Sequence, residues 1–331
     1  MNKLQNAIEQ SLAQQSWSLQ SRAHPWPQLA RGVWLKRDDE LSASMSGSKL
    51  RKLASLSTAW QQDGAELVLA CGGAQSNHLP ALLQVIRQTA LACQIWVWGR
   101  RDHLAARGNQ ALLQMLVCEE EMHWLAREDW PQVTKLMQEA KERYEAQGKL
   151  VFIVCEGGKQ VESLWGAMTQ ALDVLRNERQ HQLRWQHIFV DSGTGMSAIG
   201  LYCGLALCRQ RRDLHVVLIA GDEKQFRQDL QLMRSYLQAF HLDWDDNEAP
   251  QLHFHRPPTA RSFGATNQQI FTFMRDMARQ SGVILDAIYT AKLAMTCRAF
   301  LEKQKILSPS LVIHSGGIAS NDGFWTKILK T

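Results

Sequence analysis

The chain has 331 residues, with 37 Lys and Arg against 32 Asp and Glu and 45% apolar types. Those proportions exclude a disordered or low-complexity protein, and a chain of this length suits two cored domains better than one. The formal charge of +5 comes without any Lys- or Arg-rich run, which argues against a nucleic-acid partner, and no stretch approaches the ~20 apolar residues of a membrane span.

The opening MNKLQNAIEQSLAQQ is polar and lacks the apolar core of a secretory signal. The seven cysteines (Cys71, Cys93, Cys118, Cys155, Cys203, Cys208, Cys297) are scattered, and none forms a CxxC pair. A cytoplasmic protein with reduced thiols and no structural metal is expected.

Along the chain, short unbroken apolar runs alternate with segments of helical period. Strands are expected at Val33–Lys36, Leu67–Ala70, Gln94–Trp98, Val151–Val154, His187–Val190, His215–Ile219 and Leu311–His314. Unbroken apolar strands suit a sheet covered by helices on both faces. Leu79, Leu82, Leu83 and Ile86 share one helix face, as do Leu293, Cys297, Phe300 and Leu301. The alternation predicts an α/β fold of mainly parallel sheets. His241–Ala265 is expected to be irregular, because it holds an acidic cluster, Pro250 and the Pro257-Pro258 pair.

The chemistry is concentrated in the turns between these elements. Ser46-Gly47-Ser48-Lys49-Leu50-Arg51-Lys52-Leu53 opens a helix, with Ser46 or Ser48 as its cap. Lys49 and Lys52 stand three apart at its positive end, where like charges gain nothing from the helix dipole. That arrangement suits a docked anion, or a lysine that is neutral or covalently bound; in isolation it also suits a solvated basic turn. Cys71-Gly72-Gly73-Ala74-Gln75-Ser76-Asn77-His78 joins a strand to a helix, where Ser76 and Asn77 can bind a carboxylate or simply cap. Asp191-Ser192-Gly193-Thr194-Gly195-Met196-Ser197-Ala198 does the same, its glycines letting amides converge on a phosphate. No GK[ST] follows, so it is not a P-loop; Gly193-x-Gly195 with Ala198 leaves a dinucleotide reading open. Tyr289-Thr290 precedes another helix, with Thr290 as a plausible cap, and His314-Ser315-Gly316-Gly317 ends the last strand. With Glu156-Gly157-Gly158, four strands end in glycine turns, the ends at which parallel sheets bind ligands. A lysine on one turn and a phosphate cradle on another suggest pyridoxal phosphate, whose aldehyde a lysine can capture.

These segments resemble one family in order. Lys36-Arg37-Asp38-Asp39 followed by Gly47-Ser48-Lys49-Leu50-Arg51-Lys52-Leu53 resembles the KR[DE]D…GGNKxRKL segment of the 1-aminocyclopropane-1-carboxylate deaminase / D-cysteine desulfhydrase family. Gly73-Ala74-Gln75-Ser76-Asn77-His78 resembles its GGxQSNH, and Ser192–Leu201 its SGSGGTxAGL. Tyr289-Thr290-Ala291-Lys292 resembles YTGK, and His314-Ser315-Gly316-Gly317 resembles HTGG. The resemblance implies a pyridoxal-phosphate enzyme of fold type II, with the tryptophan-synthase-β-like pair of three-layer open parallel sheets. Residues 1–52 and 163–331 would form the larger, cofactor-binding domain and 53–162 the smaller, with a homodimer as the assembly.

By the same resemblance, Lys49 would be the Schiff-base lysine and would move the Cα proton. Lys52 and the Gly193, Thr194, Gly195, Met196, Ser197 turn would bind the phosphate. Asn77 would contact the phenolic oxygen and Thr290 the pyridine nitrogen. Ser76, Asn77 and His78 would line the substrate carboxylate, with Ser76 and Tyr289 near the reacting carbon. The deaminase branch carries Glu beside the tyrosine, so Thr290 and His78 imply the desulfhydrase branch: β-elimination from D-cysteine, giving pyruvate, ammonia and sulfide. Three positions depart from the pattern: Phe263 replaces a tyrosine on the substrate side, Ser48 an asparagine, and Met196 a glycine. Phe263 opens the alternatives of another small amino acid, 1-aminocyclopropane-1-carboxylate ring opening, or a chain that holds the cofactor with little catalysis. An NAD(P)-dependent oxidoreductase is the more distant alternative.

Overall fold

The computed structural model describes residues 2–12, 17–42, 47–99 and 107–330. Helix α1 (Asn2–Ser11) precedes β1 (Ala23–Pro25) and β2 (Val33–Lys36). Then follow α2 (Lys49–Gln62), β3 (Leu67–Gly73), α3 (His78–Gln88), β4 (Ala92–Trp98), α4 (Asn109–Leu116), β5 (Met122–Leu125), α5 (Val133–Glu145) and β6 (Val151–Val154). The second half runs α6 (Glu162–His181), β7 (His187–Ser192), α7 (Met196–Leu207), β8 (Asp213–Leu218), α8 (Glu223–Gln238), β9 (Gln251–His255), α9 (Gln268–Ser281), α10 (Thr290–Gln304), β10 (Ser310–Ile313) and α11 (Trp325–Leu329).

The strands form two sheets. One is four-stranded in the order β5-β4-β3-β6 and parallel throughout, with Leu67 opposite both Ala92 and Val151. The other is six-stranded in the order β1-β2-β10-β7-β8-β9, parallel except for β1 against β2. Helices cover both faces of each sheet, the expected α/β arrangement of the type II fold. The smaller sheet buries Ile95 and Val97 against α2 and α3 through Leu53, Leu56, Leu79 and Leu82. Its other face buries Leu69 and Trp96 against Met137 and Ala140 of α5. In the larger sheet, Ile188, Val190 and Val216 pack on Leu164, Met168 and Ile199, while Phe189, Val217 and Val312 pack on Met274, Leu293 and Cys297. Among the described residues no helix is long and apolar enough to cross a membrane.

All seven expected strands are present, with β3 and β4 longer than their apolar runs. Three more, β1, β5 and β9, carry too few consecutive aliphatic residues to stand out. The irregular stretch expected over His241–Ala265 is corrected by β9, which pairs Gln251 with Asp213 and His253 with His215. Three stacked imidazoles hold it there: His215 lies 4.8 Å from His253 and 5.1 Å from His255 between ring centres.

Helix α2 joins the two halves. Its leucines enter the small-sheet core, while Arg51 turns the other way into a buried charge cluster against α6. Arg51 grips Asp38 with two bonds of 2.8 Å and reaches Asp173 at 2.8 Å. Lys36, at the end of β2, donates to Asp173 at 2.6 Å, Asn177 at 2.7 Å and Ser21 at 2.8 Å, and Gln170 donates to Asp38. The two helices are in backbone contact: a Cβ on Gly166 would lie 1.9 Å from the Arg51 carbonyl oxygen. Charges this deep are tolerated only while each keeps its partners. Asp38→Ala, which strips the bidentate acceptor from Arg51, is expected to cost about 3–5 kcal/mol in urea unfolding.

Candidate active site

The turns at the carboxyl ends of β3, β6, β7 and β10 meet the amino end of α2. Gly47 makes that meeting possible: its φ is 36°, and a Cβ there would fall 2.5 Å from the Ser315 carbonyl and 2.7 Å from that of Asp38. Only glycine adopts this conformation without strain while leaving both carbonyls room. The Ser48 amide then donates to the Ser315 carbonyl at 3.1 Å, and α2 begins at Lys49. The Ser48 hydroxyl points to the same carbonyl, at 3.4 Å, and makes no capping bond, which corrects the expected cap. Ser46, its alternative, lies outside the described residues.

Lys49 and Lys52 occupy the first turn of α2. The Lys52 amine donates to the Gly157 carbonyl at 2.5 Å. Burial drives it well below the ordinary lysine range, the Lys49 charge adds to this, and Asp191 opposes it. The half-buried Lys49 amine has no hydrogen-bond acceptor among the described residues; burial lowers it too, against the pull of Asp191 and Asp286. Two lysines pushed toward neutrality beside one carbonyl form a place for an anion that the chain itself does not supply.

The turn after β7 borders this place. A Cβ on Gly157 would fall 2.6 Å from the Thr194 methyl, so the turn after β6 closes on Thr194. Gly195 takes φ 93° as the residue before α7, whose first amides have no partner within the helix. Gly193 approaches the Tyr289 ring, 3.2 Å from where its Cβ would be. The Met196 side chain, which stands where the family pattern has glycine, is buried in the core of the larger sheet and so does not crowd the turn.

Behind β3, the Ser76 hydroxyl accepts from the His78 amide at 3.1 Å. Asn77 accepts from Asn109 at 2.6 Å, while its amide nitrogen approaches Gly317. Both ring nitrogens of buried His78 lack partners. The ring lies against Gly158, and burial followed by the charges of Lys52 and Lys49 drives it well below the usual imidazole range.

On the far side, Tyr289 faces Phe263, with ring centres 6.2 Å apart, and burial keeps its hydroxyl protonated. Phe263 is exposed on the loop before α9. Lys292, buried in α10, donates to the Ala260 carbonyl at 2.8 Å and tethers that loop. Thr290 is not the cap of α10, a second correction. Asp286 does that work, accepting from the amides of Ile288, Tyr289 and Thr290 at 2.8–2.9 Å. The Thr290 hydroxyl donates to Asp286 at 2.7 Å and accepts from its amide at 2.7 Å.

The structure thus gathers Lys49, Lys52, Thr194, Tyr289, Thr290 and the Asn77 amide around one cleft, with His78 toward Gly158 and Phe263 at the rim. Sequence reasoning missed Asp191 and Asp286. Each was visible as an acid within a functional segment, but its inward direction was not.

The residues fit a phosphorylated aldehyde: a free amine, a second buried lysine and a glycine turn at a helix start converge, and among the described residues no carboxylate forms a salt bridge with either lysine. Known proteins agree. No family model matches the chain. It is 26% identical over 303 residues to the D-cysteine desulfhydrase of Serratia proteamaculans, covering 87% of each. It is 26% identical over 314 residues to the bifunctional D-cysteine desulfhydrase/1-aminocyclopropane-1-carboxylate deaminase of Arabidopsis thaliana, covering 89% of this chain and 75% of that one. Its fold matches a crystal structure of an ACC deaminase homologue with a TM-score of 0.84 at 20% identity, covering 98% of both. It also matches threonine deaminase isoform 2 of Solanum lycopersicum, with a TM-score of 0.67 at 14% identity over 99% of this chain and 93% of that one. The resemblance read from the motifs holds over most of the chain.

Filling the contact between Gly157 and Thr194 with a methyl, by Gly157→Ala, is expected to weaken pyridoxal 5'-phosphate binding about tenfold or more. Fluorescence titration measures this, with urea unfolding as the control for the modest strain of a positive φ.

Proposed function

We propose that this chain, a relative of the D-cysteine desulfhydrases and 1-aminocyclopropane-1-carboxylate deaminases, is a pyridoxal-phosphate-dependent lyase that eliminates sulfide from D-cysteine. The observation that carries the reading is the unpartnered Lys49 amine at the start of α2, beside Lys52 and the glycine turn that opens α7. Bound pyridoxal phosphate supplies an electron sink that acidifies the substrate's Cα–H bond.

The protein's part is to bind, orient and move protons. Lys49 holds the cofactor aldehyde and, once freed, takes the Cα proton, a task that needs a neutral amine; burial favours that form. Lys52, Gly193, Thr194, Gly195, Met196 and Ser197 hold the phosphate, the last four through the unpaired amides at the start of α7. Asn77 holds the ring oxygen, and Ser76 with His78 forms the carboxylate side. His78 is neutral and so adds no charge there. Tyr289 stays protonated, so it donates near the reacting carbon.

Thr290 is placed at the ring nitrogen with its hydroxyl hydrogen held by Asp286, and it donates to an unprotonated ring nitrogen only by turning away from that carboxylate. It brings no formal charge against the ring, unlike a glutamate. That favours elimination, which needs less electron withdrawal, over opening of a cyclopropane. Phe263 supports a slower enzyme than one with tyrosine there, since a missing acid–base hydroxyl is commonly worth ~10²–10⁴-fold. A homodimer in the cytoplasm completes the proposed setting.

The purified protein is expected to be yellow, or to turn yellow with added pyridoxal 5'-phosphate, and to release pyruvate from D-cysteine faster than from L-cysteine or 1-aminocyclopropane-1-carboxylate. Lys49→Ala is expected to abolish borohydride-trapped covalent attachment and to lower pyruvate release by ~10³-fold or more. A protein that stays colourless with added cofactor overturns the reading; coloured protein without pyruvate from any of the three points to a cofactor-holding chain.

A further inference from the structure

Asp191 is the second-last residue of β7, at the end where Ser192 leads into the glycine turn. It is buried, its Oδ1 meets no donor among the described residues, and the neighbouring Ser315 side chain favours its charged form. Tyr289, which also faces it, keeps its proton through burial, and the other groups around it, Lys49 apart, are committed elsewhere. From α2, Lys52 gives its amine to Gly157. From the loop before α10, Asp286 is filled by three amides and the Thr290 hydroxyl. From the end of β10, His314 bonds the Ile284 carbonyl with one ring nitrogen and the Gly316 amide with the other. His78, also without partners, lies apart against Gly158.

That leaves the Lys49 amine and Asp191 Oδ1, both without a hydrogen-bond partner among the described residues. Ser315 lies beside both: its carbonyl accepts from the Ser48 amide, next to Lys49, and its side chain favours the charged form of Asp191. The two charges act on each other without touching, and the four-methylene stem of Lys49 allows it to swing to the carboxylate.

We infer that Asp191 is the proton partner of Lys49: it takes a proton from the ammonium to leave a free amine, and returns it when the amine is next released from carbon. The inference rests on the reading of Lys49 as the reactive amine. In the transfer one N–H bond breaks, its electron pair stays on nitrogen, and one O–H bond forms on Asp191; a charged pair becomes a neutral one, and no other reactant is consumed. Burial works in that direction at both ends, raising Asp191 and lowering Lys49, while Lys49 and Ser315 restrain Asp191 and Asp286 pushes it further up. A proton so balanced belongs to the pair rather than to either group. Asp191 thereby acts through Lys49 and supplies a proton reservoir on the β7 side of a cleft whose rim carries Phe263 without a hydroxyl.

The test compares the native chain with Asp191→Asn, a neutral side chain of the same shape. At pH 7 the infrared spectrum of the cofactor-free native chain should contain a protonated-carboxyl band that the variant lacks. Covalent uptake of pyridoxal 5'-phosphate, followed by absorbance, should slow about tenfold or more in the variant. Binding of pyridoxamine 5'-phosphate, which cannot form the covalent link, should be unchanged. Identical infrared bands, or equal uptake rates, overturn the inference. If the variant fails to bind pyridoxamine 5'-phosphate and is therefore misfolded, Ser315→Ala decides. Removing that hydroxyl, which restrains Asp191, should raise the pH at which uptake declines, and no change overturns the inference. Failure of the native chain to take up pyridoxal 5'-phosphate, with the band difference present, instead overturns the reading of Lys49 as the cofactor lysine and leaves the proton pair standing.

Discussion

The buried contact of Arg51 with Asp38 and Asp173 governs the placement of everything else in the site. Arg51 lies between Lys49 and Lys52 in α2, and its guanidinium leaves the helix toward α6 and β2. A helix turns about 100° per residue, so fixing residue 51 fixes the directions of residues 49 and 52 as well. Lys36 closes the same cluster from β2. The four fully buried charges are two cations against two anions, Arg176 reaches Asp173 from the half-exposed edge, and Ser21, Gln170 and Asn177 take up the remaining bonds. Such a cluster is a costly source of stability, since each ion gives up its hydration. Its gain is directional: apolar side chains would hold α2 in place while leaving it freer to roll.

The strand orders explain where the cleft lies. In the smaller sheet the chain runs β3 to β5 in one direction and then returns to place β6 on the other side of β3. In the larger sheet β7 to β9 run one way, and β10 returns between β7 and β2. Each reversal sends neighbouring connections to opposite faces and opens a crevice at the carboxyl ends. The turns of β3 and β6 on one sheet, and of β7 and β10 on the other, are therefore the four that carry Ser76–His78, Gly157, Gly193–Ser197 and Ser315–Gly317. Helix α2 passes between them and brings both lysines.

What could be read from the amino acids followed from how each feature is encoded. Central strands such as Val151–Val154 are buried on both faces and so declare themselves as apolar runs. Edge strands do not: β5 reads Met-His-Trp-Leu, and β9 is half histidine and glutamine, held by ring stacking that linear patterning does not register. The glycine turns were legible because positive φ and close approach leave few other residue types possible. Capping was not. Ser48 and Thr290 have suitable side chains, but Ser48 turns to the Ser315 carbonyl and Thr290 is itself bound by Asp286, a residue four earlier whose reach depends on the shape of the loop. Asp191 was hidden for a similar reason, since period-two alternation says which residues share a face but not which meets an amine on another element.

These findings change how the charge of the site should be understood. The sequence alone shows a basic patch of Lys49, Arg51 and Lys52, suited to attracting anions. In the structure that charge is divided by depth. Arg51 is neutralised inside the fold, Lys52 is drawn toward its neutral form by burial and by Lys49, and Lys49 by burial. Attraction of a phosphate therefore falls to amides and to a lysine that regains its proton when the anion arrives, because each opposite charge favours the other's ionised form. The same argument separates the two lysines chemically. Lys52, beside the amides at the start of α7, is recharged by a phosphate, whereas Lys49 faces Asp191, with which it can share a proton. On the proposed reading, one helical turn supplies an anchoring cation and a nucleophilic amine from identical side chains, the difference coming from the β6 and β7 turns that face them.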